Sequence, residues 1–246
     1  RAIAIIPVVF FHGGFSLVSG GFVGVDVFFV ISGYLITLFL YSSLSNNSFS
    51  ASQFYERRIK RLFPAIFFIT TCCSIISWFL LQPYELEEYY GSLASVFVFA
   101  SNIHFYHHSG YFDTSSELNP LLHTWSLSVE EQFYLVFPWI LLLAFKAGKK
   151  TVWTTVSLLI ITSFCLAEWR VQEKPMAAFY FLYARSWELM IGSFCALLTV
   201  NSQLTSKTPQ TLKECLSWLG LTFILFSIFT FSDATPVAGR YTLLPT

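Results

Sequence analysis

The sequence predicts an all-α, polytopic transmembrane helical bundle, and three observations carry that reading. Apolar residues make up 55% of the 246-residue chain and charged residues only 11%, where a soluble domain carries about 25% charged residues. The apolar residues fall in long runs, several of them near the ~20 residues that a helix needs to cross a bilayer. The 28 Phe, 12 Tyr and 7 Trp suit lipid-facing helices with aromatic belts at both interfaces. The formal net charge is zero, so nothing points to nucleic acid.

The candidate spans, about eight at this length criterion, run in order. Ala2–His12 is short because the chain starts at Arg1, already inside an apolar run; the sequence is read as a piece of a longer protein, truncated at both ends. Phe22–Tyr41 follows a glycine-rich turn. Next comes the polar stretch SNNSFSASQFYERRIKRLFP, with Arg57, Arg58, Lys60 and Arg61. Ser50 or Ser52 is expected to cap a short helix there, running to Pro64. By the positive-inside rule this stretch faces the cytoplasm, and the Ser16–Gly21 turn lies outside. Pro64–Leu81, Tyr90–Tyr106 and His123–Phe145 come next, the last opening on the polar run HTWSLSVEEQ, which suits an interface or a cavity wall. Lys146, Lys149 and Lys150 form a second basic cluster, three candidate spans after the first. Strict alternation puts it outside; an inside location requires Tyr90–Tyr106 or His123–Phe145 to be re-entrant. Val152–Ala167, Leu182–Val200 and Leu216–Phe231 complete the set.

Ionisable groups inside such spans are costly, by roughly 2.5–3.5 kcal/mol each on insertion scales, and so are functional candidates. Arg1 and His12 share one helix face, about 16 Å apart along the axis. A neutral imidazole can take a hydroxyl proton near neutral pH, although a helix-end His at the interface has the same spacing. Arg1 offers a rigid donor fork or serves as a snorkelling anchor. Asp26 suits orientation of His12, a helix cap or a pair to a cation. Positions 57 and 61, or 58 and 61, share a face; arginine forks suit phosphate, and a topogenic basic loop looks the same. Glu130 and Glu131 precede the apolar run QFYLVFPWILLLAF; they fit a proton relay or a helix start capped by Ser126 or Ser128. Trp125 and Tyr134 are candidates to stack on a sugar, and Tyr134 shares a face with Glu130. Arg185 and Glu188 fit an intrahelical ion pair.

The order of motifs resembles the membrane acyltransferase-3 family, the integral-membrane O-acyltransferases of bacterial surface sugars. The resemblance rests on Arg1 with His12, GGFVGVDVFFVISGYLI at Gly20–Ile36, FYERRIKRLFPA at Phe54–Ala65, NPLLHTWSLSVEEQFYLVFP at Asn119–Pro138 and ARSWELMIG at Ala184–Gly192. It implies a multi-pass enzyme of the bacterial inner (plasma) membrane that moves an acetyl or short acyl group from cytoplasmic acyl-CoA, a co-substrate and not a resident cofactor, to a hydroxyl of an envelope glycan. Lipopolysaccharide O-antigen, peptidoglycan and exopolysaccharide are the acceptor classes. It implies that His12 is catalytic, as general base or transient acyl carrier, assisted by Asp26, Glu130 or Glu131. Arg1, Arg57, Arg58 and Arg61 then hold the donor, while Trp125, Tyr134, Arg185 and Glu188 support the acceptor or the structure. GYFD at Gly110–Asp113 together with NPLLHTWSLSVEEQFYL resembles the subgroup in which an SGNH-type domain follows the membrane part.

A proton-coupled transporter is the rival class, since intramembrane Arg, His, Asp and Glu also mark carriers; no pair of inverted halves with broken helices supports it. The five cysteines (Cys72, Cys73, Cys165, Cys195, Cys215) lack zinc-ligand spacing and read as apolar filler. His104, His107 and His108 lack a carboxylate or Cys to complete a metal set.

Overall fold

The computed structural model describes residues 1–108, 119–200, 209–232 and 235–246; the GYFD stretch at 110–113 lies outside them. Among the described residues there are ten α-helices and no strand: α1 Ala2–His12, α2 Gly24–Ser45, α3 Ala51–Leu80, α4 Pro83–Phe97, α5 Ser101–His108, α6 Thr124–Ala147, α7 Lys149–Glu173, α8 Pro175–Tyr180, α9 Leu182–Val200 and α10 Gln210–Thr230. Five of them are long and apolar enough to cross a membrane: α2, α3, α6, α7 and α10. The expectation of about eight is not confirmed among the described residues. Tyr90–Tyr106 is two short helices, α1 is a shorter apolar helix, and α9 buries Arg185, Trp187 and Glu188 in protein. The described residues form two compact units, Ser43–Leu135 and Arg1–Ser42 with Val136–Thr246.

In the Ser43–Leu135 unit, Ser50 caps α3 by accepting from the Gln53 amide at 3.5 Å. The helix does not stop at Pro64, as the sequence led one to expect, but runs on to Leu80. A proline inside a helix forfeits one amide bond, yet in an apolar medium the continuous helix keeps its other backbone groups paired. α4 starts on a reciprocal cap between Gln82 and Glu85 and runs antiparallel to α3, with the Tyr89 hydroxyl 2.8 Å from Ser74 Oγ and Phe99 beyond its end facing Phe63 at 6.3 Å. There the chain turns: Phe99 takes φ 52°, a conformation costly for a bulky residue. Gln132 of α6 secures the turn, donating to the Phe99 carbonyl at 2.8 Å and to Asn102 Oδ1 at 2.8 Å.

α5 then returns alongside α4, with His104 against Gly91. The candidate span Tyr90–Tyr106 is therefore a helix, a turn and a second short helix that doubles back. α6 starts beside α5, where Ser128 and Ser101 hydroxyls lie 2.7 Å apart, and runs antiparallel to α3 toward its basic end. Ser128 is therefore a helix–helix contact and not the cap of α6, which begins at Thr124. Gln132→Leu is expected to cost about 1–3 kcal/mol, because the Phe99 carbonyl and Asn102 lose their partner; a fall in the detergent-solubilised melting temperature measures it.

In the other unit, α1 lies antiparallel on α2 with almost no gap. A Cβ on Gly24 would strike the Ala4 carbonyl oxygen, and one on Gly21 the Pro7 carbonyl oxygen. Small residues permit this approach. The loop after α1 docks on the C-terminal end of α10: the Gly20 amide donates to the Ile228 carbonyl at 2.9 Å and the Ser19 hydroxyl to the Phe231 carbonyl at 2.6 Å. These carbonyls belong to the last turn of α10 and the residue after it, where a helix has no amides of its own to offer. α2 and α9 run in the same direction, and their backbones touch at Gly33 and Gly192, where a Cβ would overlap the Leu189 and Val30 carbonyl oxygens respectively. α7 supports α9 through Ser163, which accepts from the Trp187 amide at 2.9 Å and donates to the Tyr183 carbonyl at 2.7 Å.

Candidate active site

The α3–α6 register brings Arg58 to Glu131. Arg58 Nε lies 3.0 and 2.9 Å from the two carboxylate oxygens, and Nη2 lies 2.5 Å from Oε1. The guanidinium also rests 3.3 Å over the Tyr134 ring, and the Tyr134 hydroxyl donates to Glu130 Oε1 at 2.6 Å. Glu130 itself is 4.0 Å from Arg58. Helical spacing explains the chain of contacts: Glu130, Glu131 and Tyr134 fall on the part of α6 that faces α3. The cluster opens on a cavity of about 330 Å³ whose other walls include Ile59, Leu62, Phe63 and Val98. The Arg58 guanidinium and the Glu131 carboxylate at the end of an apolar hollow form a polar headgroup site with a greasy extension.

This geometry sorts the arginine block. Arg58 points into the protein; Arg57 and Arg61 are exposed, with Arg57 Nε donating to the Gln53 carbonyl at 3.2 Å. It also redirects Tyr134, whose expected sugar-stacking face carries the Arg58 guanidinium. Trp125 is buried, with 6% of its surface exposed, which removes it from a solvent-facing stack.

A second cluster lies between α2 and α9. Arg185 hydrogen-bonds Asp26 Oδ1 and lies 3.1 Å from Glu188 Oε1; the three side chains are 0–1% exposed. The intrahelical pair expected from spacing is present, and the interhelical bond to Asp26, 159 positions away, is new. The carboxylate expected to orient His12 is thus given to Arg185. The α1–α2 register explains why. Ala4 sits at Gly24 and the Arg1 guanidinium lies 5.4 Å from the Phe28 ring centre, so Asp26 falls beside the Arg1 end of α1. Gly21, in the 3₁₀ turn before α2, meets Pro7 and Phe11, so the His12 end of α1 lies beyond the start of α2 and away from Asp26.

His12 ends α1, exposed, with its ring edge-on to Phe11 at 5.0 Å. Phe11 is itself locked against Phe22 at 5.6 Å. Arg1 is exposed at the other end of the helix. All five cysteines are unbridged, and no group of three or more His, Cys, Asp or Glu has metal-holding geometry among the described residues.

Comparison with known families matches residues 1–244 to the acyltransferase domain. The chain belongs to the acyltransferase-3 family. It is 35% identical to the peptidoglycan O-acetyltransferase OatA of Listeria monocytogenes over 255 aligned positions, covering 99% of this chain and 40% of that protein. It is 32% identical over 251 positions to the putative peptidoglycan O-acetyltransferase YrhL of Bacillus subtilis, covering 98% of this chain and 39% of that one. To the O-acetyltransferase OatA of Staphylococcus aureus it is 39% identical over 141 positions, 56% of this chain and 23% of that protein. The chain therefore spans about two fifths of the length of the first two relatives. No solved structure matches significantly. Within this acyltransferase-3 domain, Gln132 is the residue that sequence reasoning missed. Its signal was present, as an amide side chain inside an apolar run, beside the more conspicuous Glu130 and Glu131.

Proposed function

We propose that this acyltransferase-3 domain is the membrane part of an O-acetyltransferase that carries an acetyl or short acyl group from cytoplasmic acyl-CoA to a hydroxyl of an envelope glycan, with peptidoglycan the first acceptor to test. The observation that carries the reading is the apolar cavity ending on Arg58, Glu131 and Tyr134, in a chain similar along nearly its whole length to peptidoglycan O-acetyltransferases. Glu131 holds the Nε and Nη2 side of the Arg58 guanidinium, which orients Nη1 to donate to a phosphate or a thioester carbonyl oxygen. The exposed Arg57 and Arg61 add positive charge for the remaining phosphates of the donor. Arg1 serves the same donor. His12 acts on the acceptor hydroxyl: its imidazole nitrogen takes the hydroxyl proton, the alkoxide oxygen attacks the thioester carbonyl carbon, the C–S bond breaks, and the proton passes to the leaving thiolate. The parent protein is placed in the bacterial inner membrane, and an SGNH-type domain after the membrane part is the expected further partner.

The test uses membranes carrying the full protein, supplied with acetyl-CoA labelled in the acetyl group. Label is expected in the base-labile esters of the glycan fraction, and CoA is expected to raise the melting temperature of the solubilised protein. Absence of both overturns the reading, and solute flux without donor consumption establishes a carrier instead.

A further inference from the structure

The two histidines His104 and His108 of α5 have no part in the chemistry above, yet they are held in a defined arrangement. Their rings stack with centroids 4.1 Å apart. Together with Tyr84, Glu87, Glu88 and Gly91 of α4 they line a separate cavity of about 420 Å³. Gly91 is what lets the stack form, since a Cβ there would come within 2.9 Å of His104 Cε1.

The polar atoms of this cavity are mostly acceptors. His108 Nδ1 lies 2.9 Å from the His104 carbonyl oxygen. A carbonyl only accepts, so Nδ1 carries the proton, and in the neutral ring Nε2 presents a lone pair. Glu87 and Glu88 add carboxylate oxygens. Glu88 Oε1 and His104 Nε2 are buried without a hydrogen-bond partner among the described residues, and buried polar atoms in that condition are rare enough to require an explanation. Burial, and then the neighbouring His108 ring, hold the His104 imidazole below its ordinary pKa. Tyr84, 64% exposed, sets an aromatic ring at the rim. These residues do not form a metal-holding group. What complements them is a neutral, ring-sized molecule rich in hydroxyl donors, with a flat face for the tyrosine.

The place of the cavity fits that ligand. Tyr89 of α4 is fastened to Ser74, sixteen residues beyond Arg58 on α3 and so about 24 Å along the helix; Tyr84, Glu87 and Glu88 lie further still. The arginine block marks the cytoplasmic end of α3, so the cavity sits toward the extracytoplasmic end.

We propose that this cavity is the binding site for a sugar unit of the acceptor glycan, held by Glu88, His104 and His108 with Tyr84 against the ring. The proposal rests on the O-acyltransferase reading for the identity of the ligand. The test is titration of the purified protein in lipid nanodiscs with the tetrasaccharide of N-acetylglucosamine, read by saturation-transfer NMR and calorimetry. The wild type is expected to bind it, Glu88→Gln to bind at least tenfold more weakly, and His108→Phe to lose most of the affinity. His108 is exposed, so its replacement leaves the fold intact if Glu88→Gln does not. Failure of the wild type to bind, or wild-type affinity in both variants, overturns the site. Stabilisation of the same wild-type sample by CoA reports separately on the acyltransferase reading. Stabilisation by CoA without oligosaccharide binding refutes only the glycan cavity, and oligosaccharide binding without stabilisation refutes only the donor assignment.

Discussion

Arg185→Leu is expected to remove the protein from the membrane fraction almost completely. Arg185 is the only cation bonded to Asp26 and Glu188 among the described residues, and all three side chains are fully buried. Removing one partner of a buried ion pair costs about 3–5 kcal/mol, because the remaining charge keeps its desolvation penalty and loses its compensation. That is a large share of the ~5–15 kcal/mol that holds a typical domain together. The α2–α9 contact cannot relax around the defect, since Gly33 and Gly192 already bring the two backbones into contact. Arg185→Lys is expected to recover part of the abundance: an ammonium restores the charge but lacks the planar fork that reaches two carboxylates at once.

The informative variant is the triple replacement Asp26→Leu, Arg185→Leu, Glu188→Leu. Exchanging a whole buried charge cluster for apolar residues is often neutral or stabilising, so abundance should return. If acyl transfer returns with it, the cluster is a structural clasp between α2 and α9. If abundance returns and transfer does not, the cluster takes part in the chemistry. Quantitative immunoblotting of membranes and the labelled-acetyl assay together decide between these outcomes.

The membrane class and the motif order were legible because hydrophobic run length and helical spacing are local properties. The Glu130–Tyr134 hydrogen bond and the Arg185–Glu188 pair, four and three residues apart, were readable for the same reason. The partners that came from the other helix were not. Arg58 with Glu131 and Arg185 with Asp26 are separated by 73 and 159 positions, and helix register alone brings them together. What sequence did supply was the constraint that Asp26 in one apolar run and Arg185 in another each need a partner. The fourth candidate span misled because Tyr90–Tyr106 is apolar enough to continue as one helix. The turn at Phe99 exists because Gln132, 33 positions away, satisfies the carbonyl that the turn exposes. Pro64 misled in the opposite direction: a helix breaker in water, it sits inside α3, where unpaired backbone has no solvent to turn to.

His12→Ala is expected to lower acyl transfer by about 10²–10⁴-fold, the usual contribution of a positioned general base, while leaving the amount of protein unchanged. The second half of that expectation comes from the structure. The His12 side chain is exposed at the end of α1, while Gly21 and Gly24 pack against α1 and Ser19 and Gly20 fasten the following loop to the end of α10. A loss of activity without a loss of protein therefore separates chemistry from folding at this position, as it cannot at Arg185. His12→Asn sharpens the result, because an amide keeps a hydrogen bond but cannot take up a proton; it should be as inactive as His12→Ala. The two roles open to the imidazole differ in one observable. A transient acyl carrier accumulates label on wild-type protein exposed to labelled acetyl-CoA with no acceptor present, by transfer of the acetyl carbonyl from sulfur to the ring nitrogen with release of free CoA. A general base leaves the protein unlabelled until a hydroxyl arrives. Transfer at the wild-type rate by His12→Ala, at equal abundance, removes His12 from the reaction and moves the search for a base to Glu130 and Glu131.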